Sequence, residues 1–525
     1  MIACLPLPRD SKLCSIDDAV ELIGDEQTIA FTGFAGSMHA EALSKGLGKR
    51  FKAHGRPRGL TLIYAAGQGD WAERGLEHVA HEGLIRKVVG GHFATCRSIG
   101  RLAIDNKIEA YNLPQGVICQ LYRDIAAGRP GCITHIGLGT FVDPCHGGGR
   151  LNARSQDSLV ERVELGGRQW LWYKSFPIHV ALIRAWGADP LGNLVCDREA
   201  VLTEVLSAAQ AAHNSGGKVI AQVRELLSSP APPHSVCVPG MLVDRIVHAS
   251  AEDHPQTFAE DFKSAFCTAA ATPGECDLSA LPPLAMDERR IIAARACDEL
   301  RPGFIVNLGV GIPEGIAQIA GERSLIHRVT LSVESGVIGG MPAGGLSFGA
   351  SVNPHAIIDQ PAQFDFYDGR GLDFAALGCA QVDVSGNVNV SKFGSRLPGA
   401  GGFINITQTA RRLVFCGGFT AGGLEVRAEG GKLRIIKEGS VRKFVSKVEQ
   451  ISFSAHRARE IGQEVLYVTE RAVFRLTDLG LELAEIAPGI NLERDILAHM
   501  DFMPIIQHPK LMPATAFVSN LPNAR

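Results

Sequence analysis

The sequence has no strong excess of charge of either sign, which argues against a general affinity for polyanions. Its 52 Lys and Arg side chains nearly balance its 55 Asp and Glu side chains, and the formal net charge is -3. Proteins that bind nucleic acid are expected to carry a basic patch or stripe. We therefore expect no nucleic-acid partner, although a local basic site for one phosphorylated ligand is compatible with this balance.

The sequence also lacks the patterns of metal sites and of disulfide scaffolds. Its 13 cysteines are spread over 525 residues without a CxxC pair, and no HExxH spacing occurs. Zinc sites need closely spaced cysteines or histidines, and small secreted scaffolds need a dense cysteine framework. We expect a reduced, cytoplasmic protein that holds no metal ion.

No long apolar run is suited to a membrane. The longest stretch without Asp, Glu, Lys or Arg runs from Ser335 to Ile358, and it is rich in Gly, Ser and Pro. The first residues, MIACLPLPRDSK, mix prolines and charges into their apolar run, unlike a secretory signal. With 46% hydrophobic and 20% charged residues, the composition predicts a globular protein of about two to four domains that does not span a membrane.

The most informative stretch that is present is TLSVESGVIGGMPAGGLSFG, at residues 330–349. An apolar, β-prone run from Val329 to Val333 ends at Glu334, and glycines crowd the loop that follows. Glycine permits positive φ and close approach of a ligand to the backbone. The pattern places one carboxylate at a strand end, where it can act as a covalent nucleophile on an activated acyl group. A solvated glutamate at a strand end is the alternative that the pattern alone leaves open.

The order of elements in the first half of the chain returns in the second half. In each half a helix, which in the first half is capped at Ser15, leads into a short strand, a glycine turn and another helix, the pattern of α/β proteins. Three matches in one order indicate an internal duplication of a whole domain. The position that matches Glu334 is Ala65 in the first half, so the halves share a scaffold but not the carboxylate. The matching segments are 28–36 with 304–313, 61–67 with 330–336, and 189–193 with 383–387.

The duplication predicts an α/β fold of two similar domains. We place their boundary near residue 285, after an irregular and finally proline-rich connector over residues 248–283. Residues 1–285 then form an N-terminal domain with its linker. Residues 286–525 form a C-terminal domain that carries Glu334.

Glycine-rich turns supply further candidate sites in the second half. Residues 386–394 and 398–403 offer backbone N–H groups that can hold an oxyanion or a phosphate. Neither turn is a phosphate loop, because no GK[ST] follows, and neither has the GxGxxG dinucleotide pattern. His92 and His179 are expected to be core or loop residues rather than catalysts.

Together these segments resemble the family I coenzyme A transferases, and most closely the single-chain propionate and acetate CoA-transferases. The likeness extends over nearly the whole chain in one order. The matching motifs are FTGFAG (31–36), GGHF (90–93), YNLPQG (111–116), GLGTFVDP (137–144), VESGVIGGMPAGGLSFGAS (333–351), DQPAQFDFYDGRGLD (359–373), GNVNVSKFG (386–394), GAGGFINITQ (399–408) and TAGGLEV (420–426).

The resemblance implies a ping-pong transfer of CoA between a short-chain acyl-CoA and a free carboxylic acid. Glu334 is implied as the nucleophile that forms an acyl anhydride and then a γ-glutamyl-CoA thioester. Gln115 and the Gly401 region are implied as the oxyanion donors from the two halves. CoA is then a substrate and covalent intermediate, and no other cofactor is expected. The implied substrate-binding residues are Gly399, Ala400, Gly402, Asn389, Lys392 and Arg396, with Arg427 as a further candidate for the CoA phosphates.

The family fold implied by the resemblance is an open α/β/α sandwich in each half, with the active site between the halves in a homodimer or homotetramer. One departure is Ser335, where many relatives have Asn after the glutamate, and this change can alter the preferred acid. Two other functions stay open at this point. An acyl-CoA hydrolase on the same scaffold would let water intercept the thioester, and a non-catalytic acyl-CoA sensor would keep only the fold.

Overall fold

A computed structural model describes residues 8–271 and 284–518 of the chain. The predicted connector is irregular over 249–271, and its segment at 272–283 lies outside the described residues. The helices of the first half are α1 (Ile16–Glu21), α2 (Glu41–His54), α3 (Arg97–Ile104), α4 (Gln115–Ala126) and α5 (Val205–Asn214). Its strands are β1 (Thr28–Phe31), β2 (Leu60–Tyr64), β3 (Ile85–Gly90), β4 (Glu109–Asn112), β5 (Gly131–Thr134), β6 (Val160–Leu165), β7 (Arg168–Lys174), β8 (Val180–Ala188), β9 (Leu194–Val195), β10 (Lys218–Leu226), β11 (Val236–Val238) and β12 (Arg245–His248).

The first half is built on a nine-stranded sheet in which β8, β1, β2, β3 and β4 lie side by side and parallel. Strand β10 pairs in parallel with β8 and β12, and the short β9 and β11 add antiparallel pairs. Strands β5, β6 and β7 form a separate antiparallel sheet. Because the central strands are parallel, their carboxyl ends and the loops that follow meet at one edge, where ligands bind in α/β proteins.

Burial alternates along the central strands and shows that helices cover both faces of this sheet. Ile29 and Phe31 of β1 pack in a core with side chains of α1, α2 and α3. Ala30, between them, packs in a second core with side chains of α4 and α5. Since successive strand residues point to opposite faces, the first half is an α/β/α sandwich.

The second half repeats this plan with its own sheet. Its helices are α6 (Glu288–Cys297), α7 (Gly315–Glu322), α8 (Gln360–Asp368), α9 (Phe403–Thr409) and α10 (Ala455–Glu460). Its strands are β13 (Ile305–Leu308), β14 (Thr330–Val333), β15 (Val337–Ile338), β16 (Met341–Pro342), β17 (Ser351–Val352), β18 (Ala356–Ile357), β19 (Phe374–Gly378), β20 (Gln381–Asp383), β21 (Val388–Asn389), β22 (Arg412–Cys416), β23 (Thr420–Ala421), β24 (Glu425–Glu429), β25 (Lys432–Lys437), β26 (Val441–Arg442), β27 (Phe444–Val445), β28 (Glu464–Val468), β29 (Ala472–Thr477), β30 (Gly480–Ile486) and β31 (Lys510–Leu511).

The ten-stranded sheet of this half has a parallel centre in the order β14, β13, β19, β22 and β28. Ala376 of β19 packs with α6 and α7, whereas Ala375 packs with α8 and α9. The parallel pair β13–β14 corresponds to β1–β2, as the duplication requires. The prediction of two duplicated α/β/α sandwiches is therefore confirmed.

The repeated turn at 189–193 and 383–387 has the same hydrogen bonds in both halves. Asp189 Oδ1 accepts from the N–H groups of Leu191 and Asn193, both at 2.9 Å. Asp383 Oδ1 accepts from the N–H groups of Ser385 and Asn387, both at 3.0 Å. Short Asp side chains commonly order turns in this way, so this part of the repeat serves the scaffold.

The two halves share one apolar core. Side chains of α4 and α5 from the first half pack in the same cluster as Phe364 of α8 and Ile404 of α9. Gly116 in α4 lies so close to α8 that a Cβ there would come within 2.5 Å of the Phe364 ring. The Gly116 N–H also donates to Asn405 Oδ1 of α9 at 3.1 Å, which places the first turns of α4 and α9 beside each other. Among the described residues, no helix combines the length and apolar composition needed to cross a bilayer.

Candidate active site

Glu334 is the residue directly after β14, at the edge of the second sheet that faces the first half. Its side chain is half-buried. Asn307, on the neighbouring strand β13, donates from Nδ2 to Glu334 Oε2 at 3.4 Å. In the described part of the chain, no Lys, Arg or His forms an ion pair with Glu334. The carboxylate is therefore positioned by an amide but not neutralised by a cation.

Burial raises the pKa of Glu334 above its ordinary value, while its own backbone N–H and Asn307 offset part of this effect. The phenol of Tyr367 lies beside the carboxylate, and burial followed by the charge of Glu334 raises the pKa of Tyr367. Ser332 Oγ and Tyr367 Oη are 2.9 Å apart, so the phenol is held in place. A partly desolvated carboxylate with a raised pKa is more basic than a solvated one, which favours attack on a carbonyl carbon.

Gln115 reaches the same place from the first half. It is the first residue of α4, after Pro114, and its backbone N–H donates to Gly401 O at 3.0 Å. Its side chain is 3% exposed, and Nε2 is buried without a hydrogen-bond partner. Buried amide groups normally have a partner. Gln115 therefore presents an unused N–H donor where the two halves meet.

The loop from Gly399 to Gly402 forms the facing wall. A Cβ on Gly402 would be 3.4 Å from Glu334 Cγ, so the loop touches the nucleophile candidate. The Gly401 N–H donates to Gly91 O at 2.7 Å and is therefore already engaged. By contrast, the Gly402 N–H has no hydrogen bond to any described residue. Within this loop, the free donor beside Glu334 is on Gly402 rather than on Gly401.

Two asparagines that the sequence did not single out hold this loop against the first half. Asn112 donates from Nδ2 to Gly91 O at 2.6 Å, and its Oδ1 accepts from the Ala400 N–H at 2.9 Å. Asn405 Oδ1 accepts from the Gly116 N–H at 3.1 Å. Both lie inside motifs that carry the family resemblance, but a one-dimensional pattern does not tell a loop-bridging asparagine from an ordinary turn residue.

His92 also belongs to the site, where the sequence predicted only a core or loop histidine. Its Cδ2 atom would be 3.7 Å from a Cβ on Gly401. Burial lowers the pKa of His92 to about 4, so the ring is neutral at pH 7. It contributes an uncharged wall beside Gln115. The signal for it was the GGHF motif, which sequence reasoning used only for recognition.

Asn389 and the predicted basic residues Lys392, Arg396 and Arg427 lie in surroundings that do not include Glu334. Asn389 is fully buried, and its side chain bonds to Gln381 Oε1 at 2.7 Å and to Lys392 O at 2.6 Å, so it orders its own loop. Lys392 is half-buried in that loop, and Arg396 is exposed at the turn that follows. Arg427 lies on β24 and pairs with Glu429 at 3.3 Å. The structure shows no contact between these four side chains and Glu334.

An apolar cleft of about 290 Å³ opens beside Val333, the residue before Glu334. It runs along the Gly311–Gly315 turn and the first part of α7. Arg289 and Glu314 are its charged lining residues. The remaining residues that line the cleft are Leu284, Leu308, Ala317, Gln318, Met341, Pro342, Ala343, Gly344 and Phe348.

Among the described residues, no group of three His, Cys, Asp or Glu side chains is suited to hold a metal ion.

Comparison with known proteins agrees with this arrangement. A family model described as "Coenzyme A transferase" matches residues 14–249. The chain is 44% identical over 503 residues to caffeate CoA-transferase of Acetobacterium woodii, covering 94% of this chain and 95% of the relative. It is 41% identical over 507 residues to acetate CoA-transferase YdiF of Escherichia coli K12, covering 96% and 94%.

The fold matches a crystal structure of the YdiF acyl-CoA transferase of Escherichia coli O157:H7 in a thioester complex with CoA. The TM-score is 0.91 at 40% sequence identity, and the match covers 98% of both chains. The similarity therefore includes both halves and the interface at which Glu334, Gln115 and the Gly399–Gly402 loop meet. The family expected from the motifs is confirmed.

Proposed function

Because the chain belongs to the coenzyme A transferase family, which makes it an enzyme of CoA transfer through a thioester, we propose that Glu334 is the residue that carries the acyl and CoA groups. The observation that supports this most directly is the setting of Glu334. It is a half-buried carboxylate without an ion pair, placed between donors from both halves.

In the proposed cycle, a Glu334 oxygen attacks the carbonyl carbon of an acyl-CoA. The carbon–sulfur bond breaks, CoA leaves as a thiolate, and a mixed anhydride remains. The thiolate then attacks the Glu334 carbonyl, which releases the first acid as a carboxylate and leaves a γ-glutamyl-CoA thioester. A second carboxylate runs these steps backwards. The bond energy of the thioester is kept throughout, so the cycle needs neither ATP, nor a metal ion, nor another cofactor.

Each attack produces a tetrahedral oxyanion, and two different donors face the place where it forms. We assign one donor to Gln115 Nε2, which is buried and otherwise unpaired. We assign the other to the backbone N–H of Gly402, since that of Gly401 is engaged with Gly91. A donor of this kind is worth about 10²–10³ in rate. His92 stays neutral and keeps charge away from the donor.

The apolar cleft beside Val333 is suited to the pantetheine arm of CoA. It is lined mainly by apolar side chains and reaches Val333, the residue before Glu334. Arg289 is exposed and lines the cleft, so it replaces Lys392, Arg396 and Arg427 as the first candidate for a CoA phosphate. Binding energy from this distant part of the substrate can then be used at the reacting carbonyl.

For the acids, we propose short-chain acyl-CoA donors and short-chain carboxylic acids of the acetate and propionate type. One relative is named for acetate and another for caffeate, so the acid differs within this range of identity. We also propose that the protein forms a homodimer or homotetramer, which light scattering of the purified protein tests. We propose the cytoplasm as its location.

Kinetics of Glu334 variants test the proposed role. Glu334→Gln keeps the size of the side chain but cannot form the anhydride, and it is expected to abolish acid-dependent exchange. Asp365→Asn, an exposed carboxylate change on the outer side of α8, is the matched control. Release of CoA that does not depend on an added acid would instead identify a hydrolase.

A further inference from the structure

The buried face of α8 is polar where an apolar face is expected. Gln360, Gln363 and Tyr367 are spaced by three and four residues, which places them on one side of the helix, and all three are fully buried. Neither Gln360 nor Gln363 makes a hydrogen bond of ordinary geometry with either side-chain polar atom, although Gln363 lies close enough to the Tyr367 phenol to act on its pKa. Buried amides without partners are rare in native proteins, so this stripe calls for a ligand that supplies the missing bonds.

One end of the stripe is at the nucleophile. The Tyr367 phenol is surrounded by Ser332, Gln363, Asn307 and the Glu334 carboxylate. Asn307 adds a buried Oδ1 without a partner. Gln363 therefore lies one helical turn from a group that touches the reacting carboxylate. From Tyr367 to Gln360 the stripe extends for about 10 Å along the helix axis.

The other end of the stripe is at a buried acid of the first half. The Gln360 N–H donates to Thr203 O at 2.9 Å, which places the adjacent Glu204 next to the start of α8. Glu204 is 1% exposed, and neither carboxyl oxygen makes a hydrogen bond of ordinary geometry. Burial raises the pKa of Glu204 to about 8. At pH 7 this group is protonated, so it offers both an O–H donor and an acceptor.

Helix α4 lies opposite the polar stripe of α8. Glu204 lies close enough to Cys119 and Tyr122 of this helix to raise their pKa values when it is ionised. Gln115, whose Nε2 is unpaired, lies one turn before Cys119 on the same helix. The unpaired polar atoms thus lie between α4 and α8, from the proposed oxyanion donor to Glu204. No cation lies among them, which disfavours a second carboxylate as the ligand group.

We propose that Gln360, Gln363 and Glu204 line an acyl subsite that prefers acids with a hydroxyl or oxo oxygen beyond the carboxylate over plain alkyl acids. This inference rests on the proposed function, because the stripe matters only if an acyl group is attached at Glu334. A glutamine amide can donate to either kind of oxygen and accept from a hydroxyl. A site built for such a bond rejects the analogue that lacks it, since its own polar groups then stay unpaired.

Acids of equal shape test the preference in the unmodified enzyme. 3-Hydroxybutyrate and 3-methylbutyrate differ only by a hydroxyl in place of a methyl group, as do lactate and 2-methylpropanoate. With acetyl-CoA as donor, we expect kcat/KM to favour the hydroxy acid of at least one pair by about tenfold or more. A ratio near one, or a preference for the alkyl acid, in both pairs would overturn the proposal without any variant being needed.

Variants then locate the preference. Gln363→Leu and Glu204→Leu are expected to reduce the ratio for the preferred pair by about tenfold, whereas Glu204→Gln, which keeps a donor and an acceptor, retains most of it. Gln120→Leu is the control: Gln120 lies at the outer side of the α4–α8 contact and bonds to Pro361 O at 3.0 Å. An unchanged ratio in Gln363→Leu and Glu204→Leu overturns the assignment to these residues.

The covalent state of Glu334 distinguishes a failure of the proposed subsite from a failure of the proposed function. Mass spectrometry of each protein after incubation with acetyl-CoA reports the glutamyl-CoA adduct. If the wild type forms the adduct but does not discriminate the paired acids, the subsite is refuted and the proposed function stands. If the wild type forms no adduct, the proposed function itself has failed.

Discussion

Three of the described residues at the interface between the halves each have a polar group without a hydrogen-bond partner or a charged group without an ion-pair partner. Glu334 lacks a cation, Gln115 lacks a partner for Nε2, and Gly402 lacks one for its N–H. In an ordinary core each of these would count as a defect, because buried polar groups without partners cost about 1–3 kcal/mol. Placed together at the interface, they are the groups to which we assign the roles of a nucleophile and two donors to the reacting oxyanion.

The first prediction concerns Gln115. Gln115→Leu removes the side-chain donor but keeps the backbone N–H that binds Gly401 O, so the fold is expected to stay intact. Transfer measured as kcat is expected to fall by about 10²–10³, with a smaller change in the KM for acyl-CoA. Gln120→Leu on the same helix is the control. A fall of less than about fivefold would refute the donor role.

Alanine substitutions of the neighbouring glycines Gly401 and Gly402 are expected to differ: the first lowers stability, and the second lowers activity. Gly401 has a φ of +55°, and no atom lies within 3.6 Å of its would-be Cβ, so Gly401→Ala is expected to lose about 1–2 kcal/mol from backbone strain alone. Gly402 has a φ of −78°, which any residue accepts, but its Cβ would touch Glu334 Cγ.

Gly402→Ala is therefore expected to keep the thermal stability of the wild type and to lower transfer activity, because the added methyl group takes up space next to the Glu334 side chain. Thermal unfolding and initial rates measured on both variants check the pair. Equal losses of stability in the two variants would contradict the backbone argument, and full activity of Gly402→Ala would contradict the placement of Glu334.

Secondary-structure elements bring these residues together across the two halves. The turns before α4 and α9 are joined by Asn112, which bonds to Gly90 O at 2.8 Å, to Gly91 O at 2.6 Å and to the Ala400 N–H at 2.9 Å. These partners are separated by almost 300 positions in the sequence, yet they fix one loop. The geometry of the proposed oxyanion donors therefore depends on a contact between domains and not on either domain alone.

Asn112→Leu tests this contact. It leaves the Ala400 N–H without its partner and removes one of the two donors to the carbonyls of Gly90 and Gly91, so the free energy of unfolding is expected to fall by about 1–3 kcal/mol. Activity is expected to fall as well, because the Gly399–Gly402 loop loses its anchor. Urea unfolding and kinetics give the two readouts. Gln507→Leu, an amide change at an exposed position, is the control and is expected to change neither.

Local sequence patterns predict the secondary-structure elements and one catalytic candidate, but they do not predict the contacts between the elements. The strand 330–333 ending at Glu334, the capped helix after Ser15 and the repeated Asp turns all come from local patterns, and the structure has them. The engagement of the Gly401 N–H by Gly91, and the place of His92, depend on how two domains pack. No local pattern encodes that distance, so the free donor was expected near Gly401.

The whole molecule combines two copies of one sandwich, of which only one has the carboxylate. Ala65 occupies the matching place in the first half, and its carbonyl lies directly under Gly91. At this place the first copy therefore supports the loop, whereas the second copy has Glu334, the proposed nucleophile. The boundary between the copies near residue 285 stays a prediction, which limited proteolysis followed by N-terminal sequencing tests.

Stability is expected to fall as the pH rises because of two acids at this interface, the buried Glu204 and the half-buried Asp368. Burial raises the pKa of Glu204 to about 8 and that of Asp368 to about 7, whereas such groups titrate near 4 in an unfolded chain. The folded state binds their protons more tightly. Their contribution to stability is therefore complete below about pH 4 and is lost as the pH rises through 7 to 8.

The double variant Glu204→Gln, Asp368→Asn isolates this contribution. Relative to the wild type, it is expected to gain stability between pH 5 and pH 8.5 in urea unfolding, because it has no carboxyl to ionise. Glu164→Gln, at an exposed position, is the control. Parallel pH profiles for the wild type and the double variant would show that these acids are ionised in the folded state.

Trapping of the covalent intermediate tests the central assignment most directly. The protein is incubated with acetyl-CoA without an acceptor acid, digested, and its peptides are weighed by mass spectrometry. We predict that the peptide with Glu334 gains CoA less one water and loses it again when acetate is added, and that Glu334→Gln gains nothing. Attachment of CoA to any other residue, or transfer at the wild-type rate in Glu334→Gln, would contradict the account.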